Sequence, residues 1–205
     1  MSTRNHIRSM LAITAISFLG AVSAAELAPD AQVKSTTQEV LEVIGRTSDQ
    51  RSLEDLAESK VVPHFDFKRM SQLALGRAWS QATPAQQEAL GREFQRLLVR
   101  VYTRALAAAG PSKAGVEIQP ARKHTSANQV LVKTKITRSG HAPIAIDYRM
   151  ENTPSGWKVY DVVVENVSLV LSYRGSFKAE IDKSGIDGLI RSLAEKNRAG
   201  DAKTS

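Results

Sequence analysis

Apolar residues recur at helical spacing at both ends of this chain and at alternate positions in its middle. That pattern predicts a helical front, a central sheet and a helical tail. In "DAQVKSTTQEVLEVI", residues 30–44, Val33, Thr37, Val40 and Ile44 fall on one side of a first helix. "SLEDLAESKVVPHF" reads as a second, with Ser52 as its cap. Pro63 ends it, because the residue before a proline resists α geometry. Asp66 caps a third, short helix that stops near Gly76. Thr83-Pro84-Ala85-Gln86 is a capping box with proline at the first helical position. From there Leu90, Phe94, Leu97, Leu98, Val101, Ala105 and Leu106 repeat at helical spacing until Gly110-Pro111. Roughly 24 residues at about 1.5 Å each make a rod of about 36 Å, long enough to lie across a sheet.

The middle of the chain changes period. "GVEIQ", "NQVLVKTKITR", "APIAIDYRME" and "GWKVYDVVVEN" are four strands, and the "SGH" and "NTPSG" connections make the last three an antiparallel meander. Val130, Val132, Thr134 and Ile136 share one face, as do Ile144, Ile146, Tyr148 and Met150. On the last strand Tyr160, Val162 and Val164 stand opposite Trp157, Val159, Asp161 and Val163. One face is therefore apolar and aromatic, and the other carries most of the charge. Val162 to Val164 break the alternation, being apolar on both faces with Asp161 at their edge.

Two further helices follow, over "SLVLSYRGSFKAEID" and "GIDGLIRSLAEK", with Ser184 as the cap of the second. The fold class is α+β, with helices over 30–110, a sheet of about four antiparallel strands over 115–166 and C-terminal helices over 167–196. Residues 26–196 make one domain, and the polar run 197–205 reads as a disordered tail.

The N-terminus adds a compartment. Arg4 and Arg8 precede the apolar run "MLAITAISFLGAV", and "SAAE" offers small residues for cleavage, so residues 1–25 read as a secretory signal. The chain has no cysteine, which rules out disulfides and attachment of lipid through a cysteine. An exported protein of the periplasm is the expectation. The formal charge of +7 falls to about +5 without the signal, 26 basic residues against 21 acidic. That excess suits an anionic membrane or an acidic partner; it is too scattered for nucleic acid, and the few aromatics form no base-stacking ladder.

Catalytic signatures are scarce. There is no thiol nucleophile, no Gly-x-Ser-x-Gly elbow, no phosphate-cradling glycine loop and no histidine pair at metal-ligand spacing. The expectation is no cofactor, no metal and no catalytic residue. Asp161, Glu165 and Asp147 can still be read as an acid and base, or as structural ion-pair partners of Lys158, Arg149 or Arg174. His64, in "HFDF", reads as a partly exposed residue of a helix connection or as a pH-sensitive contact.

Three stretches carry a resemblance: "HFDFKRMSQLALGRAWSQATPAQQEALGREFQRLLVRVYTRAL", "GWKVYDVVVENVSLVLSYRGSF" and "GIDGLIRSL". Leu-Gly-Arg-x-Trp, Thr-Pro-x-Gln, Trp-x-x-Tyr-Asp and Val-Ser-Leu come in the order and spacing of the toluene-tolerance or MlaC family, from about Phe65 to Leu193. One departure is Asn166, where the family usually has glycine; asparagine also tolerates left-handed backbone. Members of that family are periplasmic phospholipid-binding proteins of the system that keeps the outer membrane asymmetric. The resemblance implies a curved antiparallel sheet and surrounding helices that enclose an apolar pocket for the acyl chains of a diacyl phospholipid. Its implied partners are an outer-membrane lipoprotein–porin complex and the inner-membrane MCE-domain ring of an ABC transporter.

For such a pocket the wall residues expected on the sheet are Val130, Val132, Ile136, Ile144, Ile146, Tyr148, Tyr160, Val162 and Val164. Phe94, Leu97, Leu98 and Val101 are expected on the helix side and Val167 at the rim, with Asp161 turned away to hold the strand-to-helix junction. Two other readings stand beside the carrier. One is a small enzyme on a conical α+β fold using Asp161 or Asp147 with Tyr148 or Tyr160; the other is an adaptor that binds only protein. Arg92, Arg96, Arg100 and Arg104, spaced i, i+4, mark either a docking face or a solvated helix face.

Overall fold

Each helix of the N-terminal half starts where the sequence can satisfy or omit a free amide. The computed structural model describes residues 27–110 and 113–201. Helix α1 (Pro29–Ile44) has proline in its first turn. Helix α2 (Gln50–Leu56) is capped by Asp49, whose carboxylate accepts from Ser52 N at 2.8 Å. Ser52 is thus the third helical residue, not the expected cap; Asp49 is an equally good cap three residues earlier. The segment up to Pro63 is also not one helix, since a wide π turn (Ala57–Val61) and a 3₁₀ turn (Val62–His64) follow α2.

Helix α3 (Phe67–Leu75) is capped by Asp66, which accepts from Arg69 N at 2.8 Å. Helix α4 (Pro84–Ala109) carries the capping box in full, with Thr83 Oγ1 accepting from Gln86 N and Gln86 Oε1 accepting from Thr83 N. It does not lie directly on a sheet. Instead α4 packs against α2, α3 and the last helix of the chain, and Phe94 sits edge-on to Tyr173 and Phe177, 5.1 and 5.2 Å between centroids.

Among the described residues the sheet has six antiparallel strands. Strands β1 (Ala114–Ile118) and β2 (Arg122–Lys123) run along one edge of β3 (Gln129–Arg138). Strands β3, β4 (Ile144–Thr153) and β5 (Gly156–Val164) form the expected meander. Strand β6 (Val167–Ser168) folds back on β5, so the order is β1-β3-β4-β5-β6 with β2 also on β3. The two strands beyond the four expected, β2 and β6, are two residues each, too short to show a period.

A bulge in β5 changes the reading of its faces. Arg149 pairs with Asp161 but Met150 pairs with Val159, leaving Tyr160 as the extra residue. Side chains before the bulge therefore swap faces relative to the simple alternation. Val159 joins Val162 and Val164 on the face of Met150 and Tyr148, and Tyr160 turns to the other, where Arg69 lies 6.0 Å from its ring centroid.

The β5–β6 connection needs left-handed backbone at both of its residues. Glu165 has φ 48° and Asn166 φ 67°, the geometry of a type I′ hairpin turn. Asn166→Gly is expected to hold or raise stability by up to about 1 kcal/mol, whereas Asn166→Val lowers it by about 1–2 kcal/mol. Urea denaturation of the two variants beside the parent protein checks both signs.

Helix α5 (Leu169–Ser172) is capped by Ser168, and α6 (Arg174–Asp201) bends at Gly185. Ser184 does not cap the second half of α6; its hydroxyl donates to Glu180 O at 3.0 Å. The break comes from Gly185 itself, at φ 71° and ψ −178°, a region open essentially to glycine alone. The helix also runs on past residue 196, where a disordered tail was expected. Asn197 is buried and its Nδ2 donates to Glu93 O at 3.0 Å, so α4 holds that turn in place. The expected signal, residues 1–25, and the last residues of the expected tail, 202–205, lie outside the described residues.

Among the described residues two apolar clusters result. One joins α3, α4, α5 and α6 around Phe94, Leu90, Val170, Phe177 and Leu193. The other joins α1 to the sheet through Val33, Val132, Met150 and Val159. Among the described residues no helix is long and apolar enough to cross a membrane.

Candidate functional site

Between these clusters the helices and the sheet do not meet. Helix α1 covers the β1–β3 side of the sheet, and α4 is held off it by α2 and α3. The space left is a cavity of about 440 Å³. Its floor is Ile146 and Tyr148 of β4 with Val159, Val162 and Val164 of β5. Its roof is Leu98, Val99, Tyr102, Thr103, Ala105 and Leu106 of α4, and its sides come from α1, α2 and the turns through Phe65. An apolar cavity of about 150 Å³ stays dry and holds a benzene ring, so this one has room for a far longer apolar ligand. Among the described residues no Asp, Glu, Lys or Arg is on its wall.

Of the residues expected from sequence, Leu98, Ile146, Tyr148, Val162 and Val164 are on this wall. The other nine lie elsewhere. Val132 shares the floor's face but is wholly covered by the cluster of Val33, Met150 and Val159, and Val130 packs against that cluster. Ile136 and Ile144 pair with each other at the far end of β3 and β4. Tyr160 is turned away by the bulge. Phe94 and Leu97 belong to the helical cluster, because α4 spends that face on α6. Val101 and Val167 are exposed, Val167 to 58%.

Sequence reasoning missed Val33, Thr36, Thr37 and Val40 of α1, and Leu53, Leu56, Val61, Val62, Phe65 and Val159. A signal was present for α1, since Val33, Thr37 and Val40 are three of the four residues placed on its common side.

Few polar groups reach the wall. Burial, with a small addition from Tyr173, pushes the Tyr102 hydroxyl up to about 12. Burial also raises Tyr148, and a side-chain hydrogen bond with Thr37 partly offsets it. His64 is held below the ordinary histidine range by burial and then by Lys158, against a smaller opposite pull from Glu39. This neutral, apolar space favours ligands that bring no charge to the wall.

The carboxylates of the acid–base reading are not at the cavity. Asp161, 1% exposed, accepts from Arg149 Nη1 at 2.9 Å, from Ser168 Oγ and from Val170 N at 3.3 Å. It thus ties β4, β5 and the start of α5 together, as expected of a junction residue. Asp147 faces Lys133 at 3.8 Å on the side of the sheet away from Tyr148. Glu165 Oε1 accepts from Ala145 N. Among the described residues no group of three or more metal-binding side chains comes together.

The arginine stripe of α4 is partly used internally. Arg92 pairs with Glu88, and Arg100 donates to the carbonyls of Lys196 and Asn197 at the end of α6. Arg100 and Arg104 line a second groove of about 300 Å³ together with Leu97, Val101 and Lys196.

Comparison with known proteins places this architecture. The model of the MlaC protein family matches residues 34–195. The toluene tolerance protein ttg2D of Pseudomonas putida is 26% identical over 185 residues, 84% of this chain and 85% of that protein. The intermembrane phospholipid transport system binding protein MlaC of Haemophilus influenzae is 24% identical over 150 residues, 72% of this chain and 69% of its own. A phospholipid-binding protein of Ralstonia solanacearum, solved in complex with a phospholipid, superposes with a TM-score of 0.74 at 35% identity, over 85% of this chain and 99% of that one.

Proposed function

We propose, on the premise that this chain belongs to the MlaC protein family, that it binds phospholipid in the cavity between α4 and the sheet and carries it through the periplasm. One observation carries the reading: a wall with no Asp, Glu, Lys or Arg among the described residues encloses a ligand-sized space in an otherwise charged protein. Each buried methylene contributes about 0.8 kcal/mol, so acyl chains supply the affinity and no single polar contact has to. The headgroup stays in water outside the wall. Leu98, Ile146, Tyr148, Val162 and Val164 are the contacts proposed for the chains, joined by Val33, Val40 and Val159.

The complexed Ralstonia protein and the transport-system name of the Haemophilus relative support this substrate class. The donor and acceptor partners proposed are an outer-membrane lipoprotein–porin complex and the MCE-domain ring of an inner-membrane ABC transporter. ATP is then spent by the transporter and not by this chain. A transfer assay tests the carrier role. Protein incubated with vesicles holding a self-quenched fluorescent phospholipid is expected to dequench it in proportion to protein added, and to pass it to acceptor vesicles bearing the ring. Dequenching that stays at the protein-free level contradicts the carrier reading.

A further inference from the structure

The C-terminal half of α4 is apolar, basic and largely uncovered. From Phe94 to Ala109 it carries Arg96, Arg100 and Arg104 and no acidic residue. In its last turns Val101, Tyr102, Arg104, Ala105 and Leu106 are exposed, with Thr103 buried among them. Tyr102, Ala105 and Leu106 are also on the cavity wall, so the cavity's open edge runs along this segment. Further round the same turns lies the groove of about 300 Å³.

That groove joins an apolar lining, Leu97, Val101 and Ala199, to the cations Arg100, Arg104 and Lys196. Among the described residues no Asp or Glu lines it, and Arg104 and Lys196 have no ion-pair partner. Arg100 donates to backbone carbonyls at the end of α6, which position its guanidinium without cancelling the charge. Three cations beside an exposed apolar strip complement a surface that is anionic outside and apolar just beneath, as a bilayer of anionic phospholipid is. Arginine and lysine lay their stems on apolar surface while their heads reach phosphate, and tyrosine favours the same boundary. The strip also runs on through Val101 and Tyr102 to the cavity edge, a path that an acyl chain can follow without crossing a ring of charge. This continuity favours a bilayer over an acidic peptide as the occupant.

We infer that the C-terminal half of α4 is a docking surface for an anionic bilayer. Val101, Tyr102 and Leu106 dip into the boundary between headgroups and chains, while Arg100, Arg104 and Lys196 pair with lipid phosphates. The helix then lies along the leaflet with the cavity edge against it. Docking does not need a filled cavity; its use, as the place where a chain passes from leaflet to cavity, rests on the phospholipid reading above.

Co-sedimentation with vesicles tests the surface apart from capture. The protein is mixed with vesicles of phosphatidylglycerol and phosphatidylcholine in equal parts, and separately with phosphatidylcholine alone. Binding is expected to the first and not to the second, and is lost in about 0.5 M salt. Arg104→Gln with Lys196→Gln weakens it about thirtyfold, since each cation near an anionic surface contributes about tenfold or less. Val101→Asn weakens it about tenfold at unchanged charge. Arg46→Gln with Lys178→Gln, an equal loss of charge at cations paired with Glu42 and Asp182, leaves it near the parent value. Val162→Trp, which fills the cavity, sediments as the parent does. No sedimentation of the parent with the anionic vesicles, or binding that survives both groove variants, overturns the inference and leaves phospholipid capture standing. So does a groove that matters only to an acidic protein partner: variants that lower transfer to acceptor vesicles bearing the ring, in a parent that ignores bare anionic vesicles. Lost capture with sedimentation intact removes the phospholipid reading instead and leaves the docking surface. A thermal melt confirms that each variant is folded; if Val101→Asn is not, the two charge variants decide.

Discussion

Asp161→Ala is expected to lower the unfolding free energy by about 3 kcal/mol, with a fall in Tm of about 6–12 °C. The carboxylate is buried and has partners on three elements: Arg149 of β4, Ser168 of β6 and the amide of Val170 in α5. Removing it strands a guanidinium, a hydroxyl and an amide at once. Breaking a buried ion pair costs about 3–5 kcal/mol, and the low end applies because Arg149 keeps 32% of its side chain exposed. Asp161→Asn retains an acceptor for Ser168 and Val170 and loses only the charge, so about 1–2 kcal/mol is expected. Under the carrier account, Asp161→Asn still binds lipid as the parent does, since the residue faces away from the cavity. A normal melt combined with a lost turnover would point instead to the acid–base alternative.

Val162→Trp is expected to abolish lipid capture while the protein remains folded. Val162 is on the cavity floor beside Tyr148, so the indole can enter open space without displacing packed neighbours. Excluding even four methylenes of an acyl chain forfeits about 3 kcal/mol, more than a hundredfold in affinity. Leu98→Trp fills the same space from the α4 side and is expected to act likewise. Val163→Trp, on the neighbouring residue that alternation turns to the other face, serves as the control and leaves capture intact if it folds. Equal capture by Val162→Trp and the parent protein would place the lipid elsewhere.

The fold was largely legible in the sequence because its signals were local. Thr83 with Gln86 announced α4, Asp66 announced α3, and the two short polar connections announced the β3–β4–β5 meander. The wall was less legible for reasons that are not local. The bulge at Tyr160 has no sequence mark, because "VYDVVV" offers an apolar residue to either face and so accepts either register. Likewise α4 is apolar around enough of its surface to serve both a core and a cavity. Only its packing on α6 decides that Phe94 and Leu97 go to the core and Leu98 to the wall.

The residues missed in α1 and the π turn follow from the same limit. Val33, Thr37 and Val40 share a face, but periodicity gives the face and not what lies opposite it. Here that is the sheet at one end of α1, through Val33, and the cavity along the rest. Asn166, by contrast, was readable on its own, since left-handed backbone is a property of the residue and its turn; its φ of 67° is what a glycine's replacement must adopt.

The carrier reading places the acyl chains of a phospholipid in the space between α4, α1 and the sheet. Native mass spectrometry of the protein purified from its host without detergent tests it most directly, with lipid analysis of the denatured sample and Val162→Trp run in parallel. Expected is a bound mass near stoichiometric with protein, identified as diacyl phospholipid, that disappears in Val162→Trp. A parent protein that comes out without lipid and takes up none from vesicles, or bound lipid that Val162→Trp retains, would contradict it.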